Sequence, residues 1–193
     1  MSRVTMHLPE AGDGLPGGRR PVVEQLALRA PSVAHLGFAA LSRVPAGSPL
    51  RRRFLGSVVG RFTRMMNRGD VDTALTLAFE PDVEISVVGF AIGIPDHYHG
   101  HQGMRDFFAD WRVAMGWPHF TIHRVVDMGD PILIGLSFRS RGVSSGAAAA
   151  KTGLGFVVSL SERGLVGSWD MYWHWEEAIR AAAPGRPGSV PAS

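Results

Sequence analysis

Five of the eight histidines fall between residues 97 and 123: His97, His99 and His101 at alternate positions, then His119 and His123. In an extended segment the first three imidazoles face one way and could offer a zinc ion three ligands with an open fourth position. Gly100 and a helix start near Gln102 break that path. His119 and His123 also lack a carboxylate of known position to orient their rings. The expectation is therefore a loop of hydrogen-bonding side chains that caps the next helix, with no metal and no cofactor. His99 or Tyr98 at the mouth of a pocket offers general acid-base chemistry instead, because an imidazole of pKa about 6.5 changes charge near neutrality. Asp170, beside Tyr172 and His174, is the third catalytic candidate.

Whether Asp170 can act depends on the stretch that carries it. Residues 154 to 177 read as two strands turning at Ser161 to Gly164, and strand side chains alternate between faces. A turn of two or four residues pairs Phe156 with Trp169 and Leu154 with Met171. Leu154, Phe156, Val158 and Leu160 then share an apolar face with Leu165, Gly167, Trp169, Met171 and Trp173. Lys151, Gly153, Gly155, Ser159, Ser168, Asp170, Tyr172 and His174 take the polar face. That places Asp170 away from the interior unless a bulge turns it. Its expected role is an ion pair across Gly153 and Gly155 with Arg139 or Arg141. The apolar face needs a helical cover.

The 193 residues suit one domain with extensions, and 45% apolar composition excludes wholesale disorder. No run of about 18 apolar residues occurs, and the polar, Gly-rich start lacks a signal peptide's apolar core, so a cytoplasmic protein without a membrane span is expected. The absence of cysteine removes disulfides, thiol nucleophiles and thiolate metal sites. Residues 1–68 carry eleven arginines and three acidic groups, a net +8, whereas residues 69–193 carry a net −5. Arg51, Arg52 and Arg53 could meet phosphates or an anionic surface. No aromatic residues interleave with them as a stacking platform would require, so a solvated helix face is expected and no nucleic acid.

Residues 1–20 and 184–193 read as disordered tails and 21–49 as an N-terminal helical extension of two short helices around Pro31. Phe54, Leu55, Val58, Val59, Phe62, Met65 and Met66 form an amphipathic stripe ending at Asn67 to Gly69. Asp70 caps a further helix that stops at Pro81. Strands follow at 82–90, 119–128 and 131–142, with a helix over 102–115 that carries Met104, Phe107, Phe108, Trp111 and Met115. The stretch VSSGAAAA reads as a flexible loop, although its alanines could continue the following strand.

The phrases NRGDVDTALTLAFEPDVEI, YHGHQGMRDFFADW, VDMGD and ERGLVGSWDMYWHWEEAI occur in this order within residues 50–183. In them the chain resembles the SnoaL-like family of the nuclear-transport-factor-2-like superfamily, which includes ketosteroid isomerases and epoxide hydrolases. The resemblance implies an α+β fold, a cone-shaped barrel of a curved, mostly antiparallel sheet covered by helices, here with the N-terminal helical extension. It also implies a pocket between sheet and helices, and homodimers through the sheet. The isomerases' strand aspartate would follow the Val83–Glu84 pair, where Ile85 stands. The hydrolases and cyclases place a carboxylate just before the last strand's tyrosine, and here that residue is Met171.

Five tryptophans exceed what a small core needs, and pockets are mostly apolar with few polar groups. Phe62, Trp111, Phe138, Trp169, Met171 and Trp173 are accordingly expected to line a pocket for a small hydrophobic, even polycyclic, ligand. The function expected is ligand binding, or the chemistry of a divergent isomerase or cyclase. The alternative is a non-catalytic interaction or dimerisation module with a filled cavity.

Overall fold

The computed structural model describes residues 4–6, 21–141 and 148–183. In chain order these form β1 (Val4–Met6), α1 (Val22–Arg29), α2 (Pro31–Ser42), α3 (Pro49–Asn67), α4 (Val71–Ala78), β2 (Phe79–Val88), β3 (His97–His99), α5 (Gly100–Met115), β4 (His119–Asp127), β5 (Ile132–Arg141), β6 (Ala148–Leu160), β7 (Val166–Tyr172) and α6 (Trp175–Ala182). The alanine run joins β6. Val4–Met6 pairs with β4, so these three residues are a strand where an irregular tail was expected. The rest of both expected tails and the loop at 142–147 lie outside the described residues.

The sheet has seven strands in the order β1-β4-β5-β6-β7-β2-β3, antiparallel except where β2 lies parallel to β7. It is curved but open. β1 and β3 stand at its two edges, so the expected barrel does not close. α3 and α5 cover the inner face as their stripes require: Leu55, Val59 and Met66 from the first, Met104, Phe107 and Trp111 from the second, all within the buried core. Ser48 opens α3 by accepting a hydrogen bond from Arg51 N at 3.2 Å, with Pro49 in the first turn. Asn67 ties its far end to β4, donating to Phe120 O at 2.9 Å and accepting from Phe120 N at 2.8 Å.

The β6–β7 register differs from the expected one. Leu160 faces Val166, which makes the turn five residues, while Ser159 faces Ser168. Gly167 is therefore the extra residue of a bulge. An odd turn slips the pairing by one and the bulge slips it by one more, giving Phe156–Met171 and Val158–Trp169. The two slips cancel in parity, so Trp169 and Met171 still face inward and are 2% and 0% exposed. Near the turn they do not cancel, and Val166 takes the inner side in place of Leu165.

The outer face is not wholly polar, because α6 packs on it with Trp175, Ala178 and Ala182 against Val126, Leu133 and Val157. Gly155 makes room for this helix and not for an ion pair of Asp170. The cross-strand neighbours of Asp170 are Val157 and Ser86, whereas Arg139 lies opposite Ala150 and His119. The Arg141 side chain lies outside the described residues. Arg51 also departs from its expected solvated position: it is buried, and its Nε donates to both carboxylate oxygens of Asp127 at 3.1 and 3.0 Å. A buried guanidinium needs such a partner.

Candidate functional site

The helix stripe of α3 and the inner face of β4 to β7 enclose a cavity of about 80 Å³. Leu55, Val59 and Phe62 bound it on the helix side, and Phe120, Phe156 and Trp169 on the sheet side. Phe62 stands edge-on to Trp169 at 5.8 Å and tilts over Phe79 at 5.3 Å. None of the residues lining it is ionisable. The Thr63 hydroxyl at the wall donates back to Val59 O at 2.8 Å. Such a surface binds by shape and apolar burial and holds no group that could move a proton.

Of the six residues expected to line a pocket, Phe62 and Trp169 do so. Trp111, Phe138, Met171 and Trp173 are packed together beyond the cavity, with Trp111 edge-on to Phe138 at 5.1 Å and Phe138 against Trp173 at 6.0 Å. Trp111 stands one ring behind Phe120, at 6.2 Å. Among the described residues its buried indole Nε1–H has no hydrogen-bond partner. A buried donor left unpaired costs free energy, which marks this spot within an otherwise apolar interior. Phe156, expected only on the apolar face, joins the walls, as do Phe79 and Phe120, which periodicity had not marked. Strand parity shared with Ile122 would have indicated Phe120.

The polar candidates stand elsewhere. His99 is on the outer face, its Nδ1 2.8 Å from Glu84 Oε1, and both side chains are largely exposed. Tyr98 points inward between His97 and His99, and its hydroxyl donates to Asp110 Oδ2 at 2.9 Å. Burial first, then that bond, pushes its pKa well above the ordinary tyrosine value, so it stays protonated. Asp170 shares a row with Ser86 and His97, whose Oγ and Nδ1 are 3.4 Å apart. Burial raises the Asp170 pKa, opposed by the Ser86 hydrogen bond and the His97 charge. None of these three lines the cavity. His101 meets Phe79 O, and His123 meets Ser137 Oγ at 2.8 Å. Among the described residues no three His, Asp or Glu side chains converge as metal ligands.

A second cavity, about 290 Å³, lies between the pair α1 and α2 and the pair α3 and α4. Val58, Phe62 and Ala78 line both spaces and form the partition between them. No described helix is long and apolar enough to cross a membrane.

Among solved structures, the fold is similar to an NTF2-like protein of unknown function from Burkholderia pseudomallei, 19% identical over 65% of this chain and 95% of that one, with a TM-score of 0.54. It is similar to SalBIII, an epoxide hydrolase/cyclase-like enzyme in pyran ring formation in polyether salinomycin, at 17% identity, 65% and 94% coverage and a TM-score of 0.51. It is also similar to RV0760c from Mycobacterium tuberculosis, solved in complex with estradiol-17beta-hemisuccinate, at 21% identity, 62% and 92% coverage and a TM-score of 0.50. At these identities the likeness is one of fold. No curated protein matches the chain. The SnoaL-like domain model matches residues 59–164, more than half of the chain, and the protein belongs to that family.

Proposed function

We propose that this protein binds a small hydrophobic molecule in the cavity between α3 and the sheet, holding it by ring contacts with Phe62, Phe120, Phe156 and Trp169. The observation that carries this reading is a space between α3 and the sheet whose lining holds no ionisable side chain. The cavity volume of about 80 Å³ is smaller than the roughly 150 Å³ that admits one benzene ring in an engineered protein cavity. A ring-sized ligand therefore displaces Phe62, and a polycyclic one needs the Val58–Phe62–Ala78 partition to yield. Trp111, Phe138, Met171 and Trp173 lie beyond this space, and a longer ligand that turned Phe120 aside would reach the Trp111 Nε1–H, which has no hydrogen-bond partner among the described residues. Catalysis by His99, Tyr98 or Asp170 has no support in their placement.

The test is titration of the full chain with toluene, followed through the methyl resonances of Ile134, Val158 and Leu55. Saturable shifts confined to these walls are expected, and Val158→Phe should remove them. Shifts spread over surface methyls, or none at all, would sink the proposal.

A second reading is favoured by a separate observation: Val22, Val33 and Leu36 on α1 and α2 are 70%, 68% and 71% exposed. Exposed apolar residues grouped on one extension mark contact surfaces. In this reading the extension pairs with a second copy, giving a homodimer. Light scattering should then report a dimer that Leu36→Glu converts to a monomer; a monomeric wild type would refute it.

A further inference from the structure

The helices α1 and α2 are anchored at both ends. Glu24, 3% exposed, accepts a hydrogen bond from Arg68 Nη2 at 2.6 Å where α3 ends. Near the start of α3, Arg51 holds Asp127, and Gly47 N donates to the same carboxylate at 3.2 Å, which ties the α2–α3 link to the end of β4. Between these points α2 crosses from α4 to the tip of the β6–β7 hairpin. His35 Nε2 lies 3.1 Å from Thr76 O, and the backbone of Phe38 lies against Gly164. A Cβ on Gly164 would stand 2.6 Å from Phe38 C and O, and Gly164 has φ of +74, so two requirements converge on glycine there.

A strap fixed in this way leaves the 290 Å³ chamber beneath it as a built space. Val23, Ala27, Phe38, Phe54 and Met65 give it apolar walls. Two charged residues border it. The Glu24 charge is matched by Arg68, whereas exposed Arg61 has no ion pair among the described residues. The chamber thus combines an apolar interior with one unmatched positive charge. At roughly 30 Å³ per water-sized group the volume suits on the order of ten non-hydrogen atoms.

We infer that the chamber under α1 and α2 binds an amphipathic monoanion, an alkyl carboxylate whose tail fills the space while its carboxylate meets Arg61. A guanidinium pairs with a carboxylate bidentately, and the apolar tail gains by leaving water. This site goes beyond the inner cavity and stands apart from it.

The test uses the full chain and decanoate below its micelle-forming concentration, by titration calorimetry, with decanol as the uncharged comparison. One decanoate per chain is expected. Arg61→Gln should weaken decanoate about tenfold and leave decanol unchanged, because the exposed guanidinium contributes only to the anion. Gly37→Leu is the second variant. Gly37 lines the chamber, a Cβ added there meets nothing within 4 Å, and replacing a helical glycine favours the helix. It should raise the melting temperature while abolishing binding of both probes. Toluene binding at the inner cavity should persist in this variant, and decanoate binding without toluene binding would sink the inner-cavity reading and leave this one. A wild type that does not bind decanoate, or variants that all bind it equally, would overturn the inference.

Discussion

Ala178 of α6 occupies the space that a side chain on Gly155 would need: a Cβ built there stands 2.3 Å from the Ala178 Cβ. Gly135 lies opposite Gly155 on β5 and similarly admits the Arg124 side chain, whose guanidinium carbon sits 4.3 Å from the centre of the Trp175 ring. The two glycines form a trough in the outer face, and α6 lies in it.

Gly155→Val should therefore displace α6 at a cost of about 1–3 kcal/mol, the usual range for overpacking. Amide exchange is the direct measurement. The amides of α6 should lose protection while those of β5 and β6 keep it; uniform loss across the sheet would mean that the substitution acts through the strand.

The Arg51–Asp127 pair gives a second expectation. Asp127→Ala leaves a buried guanidinium uncompensated and should cost about 3–5 kcal/mol in urea unfolding. Replacing both partners, Arg51→Met with Asp127→Leu, should recover most of that loss, because no buried charge remains. A double variant as unstable as the single one would show that the contacts of Arg51 to Val44 O and Gly129 O carry the stability instead.

Asp170 and Met171 should respond in opposite ways. A carboxyl whose folded pKa is raised binds more protons folded than unfolded, so this group lowers stability as pH rises from its ordinary 3.8 to the raised folded value. Asp170→Asn removes that fall. Measured by unfolding between pH 3 and pH 7, the variant should gain on the wild type across this window and remain within about 1 kcal/mol of it at neutrality. Met171→Asp places an unpaired carboxylate in the core and should cost about 3 kcal/mol or more.

Trp111→Phe removes a donor that has no partner among the described residues, so only packing is lost. A destabilisation under about 1.5 kcal/mol is expected from urea midpoints. A loss twice that size would reveal an acceptor bound to Nε1.

The elements legible in the sequence were those with a clean period. The stripes of α3 and α5 and the alternation along Phe156, Val158, Trp169 and Met171 state their buried faces outright. The turn and bulge around Gly167 were not legible, since two one-residue slips leave the same parity further along the strands. Gly155 read as spare room because its neighbour Ala178 arrives from another element. Arg51 read as solvated because its partner is 76 residues away. Of the candidate site, the rings of Phe62 and Trp169 could be named from periodicity, whereas the partition that Val58, Phe62 and Ala78 make with the outer chamber depends on where α2 crosses.

The parallel pairing of β2 with β7 sets the order in which the chain can be completed. Ile85 meets Trp169 and Val87 meets Met171, so β2 lacks its inner neighbour until almost the whole domain has emerged from the ribosome. Closing so long a loop is entropically slow, and the earlier strands β4 to β6 form by local hairpins. During synthesis β2 is consequently an open edge rich in Val and Ile, the kind of segment that pairs with the wrong chain when nascent molecules are crowded.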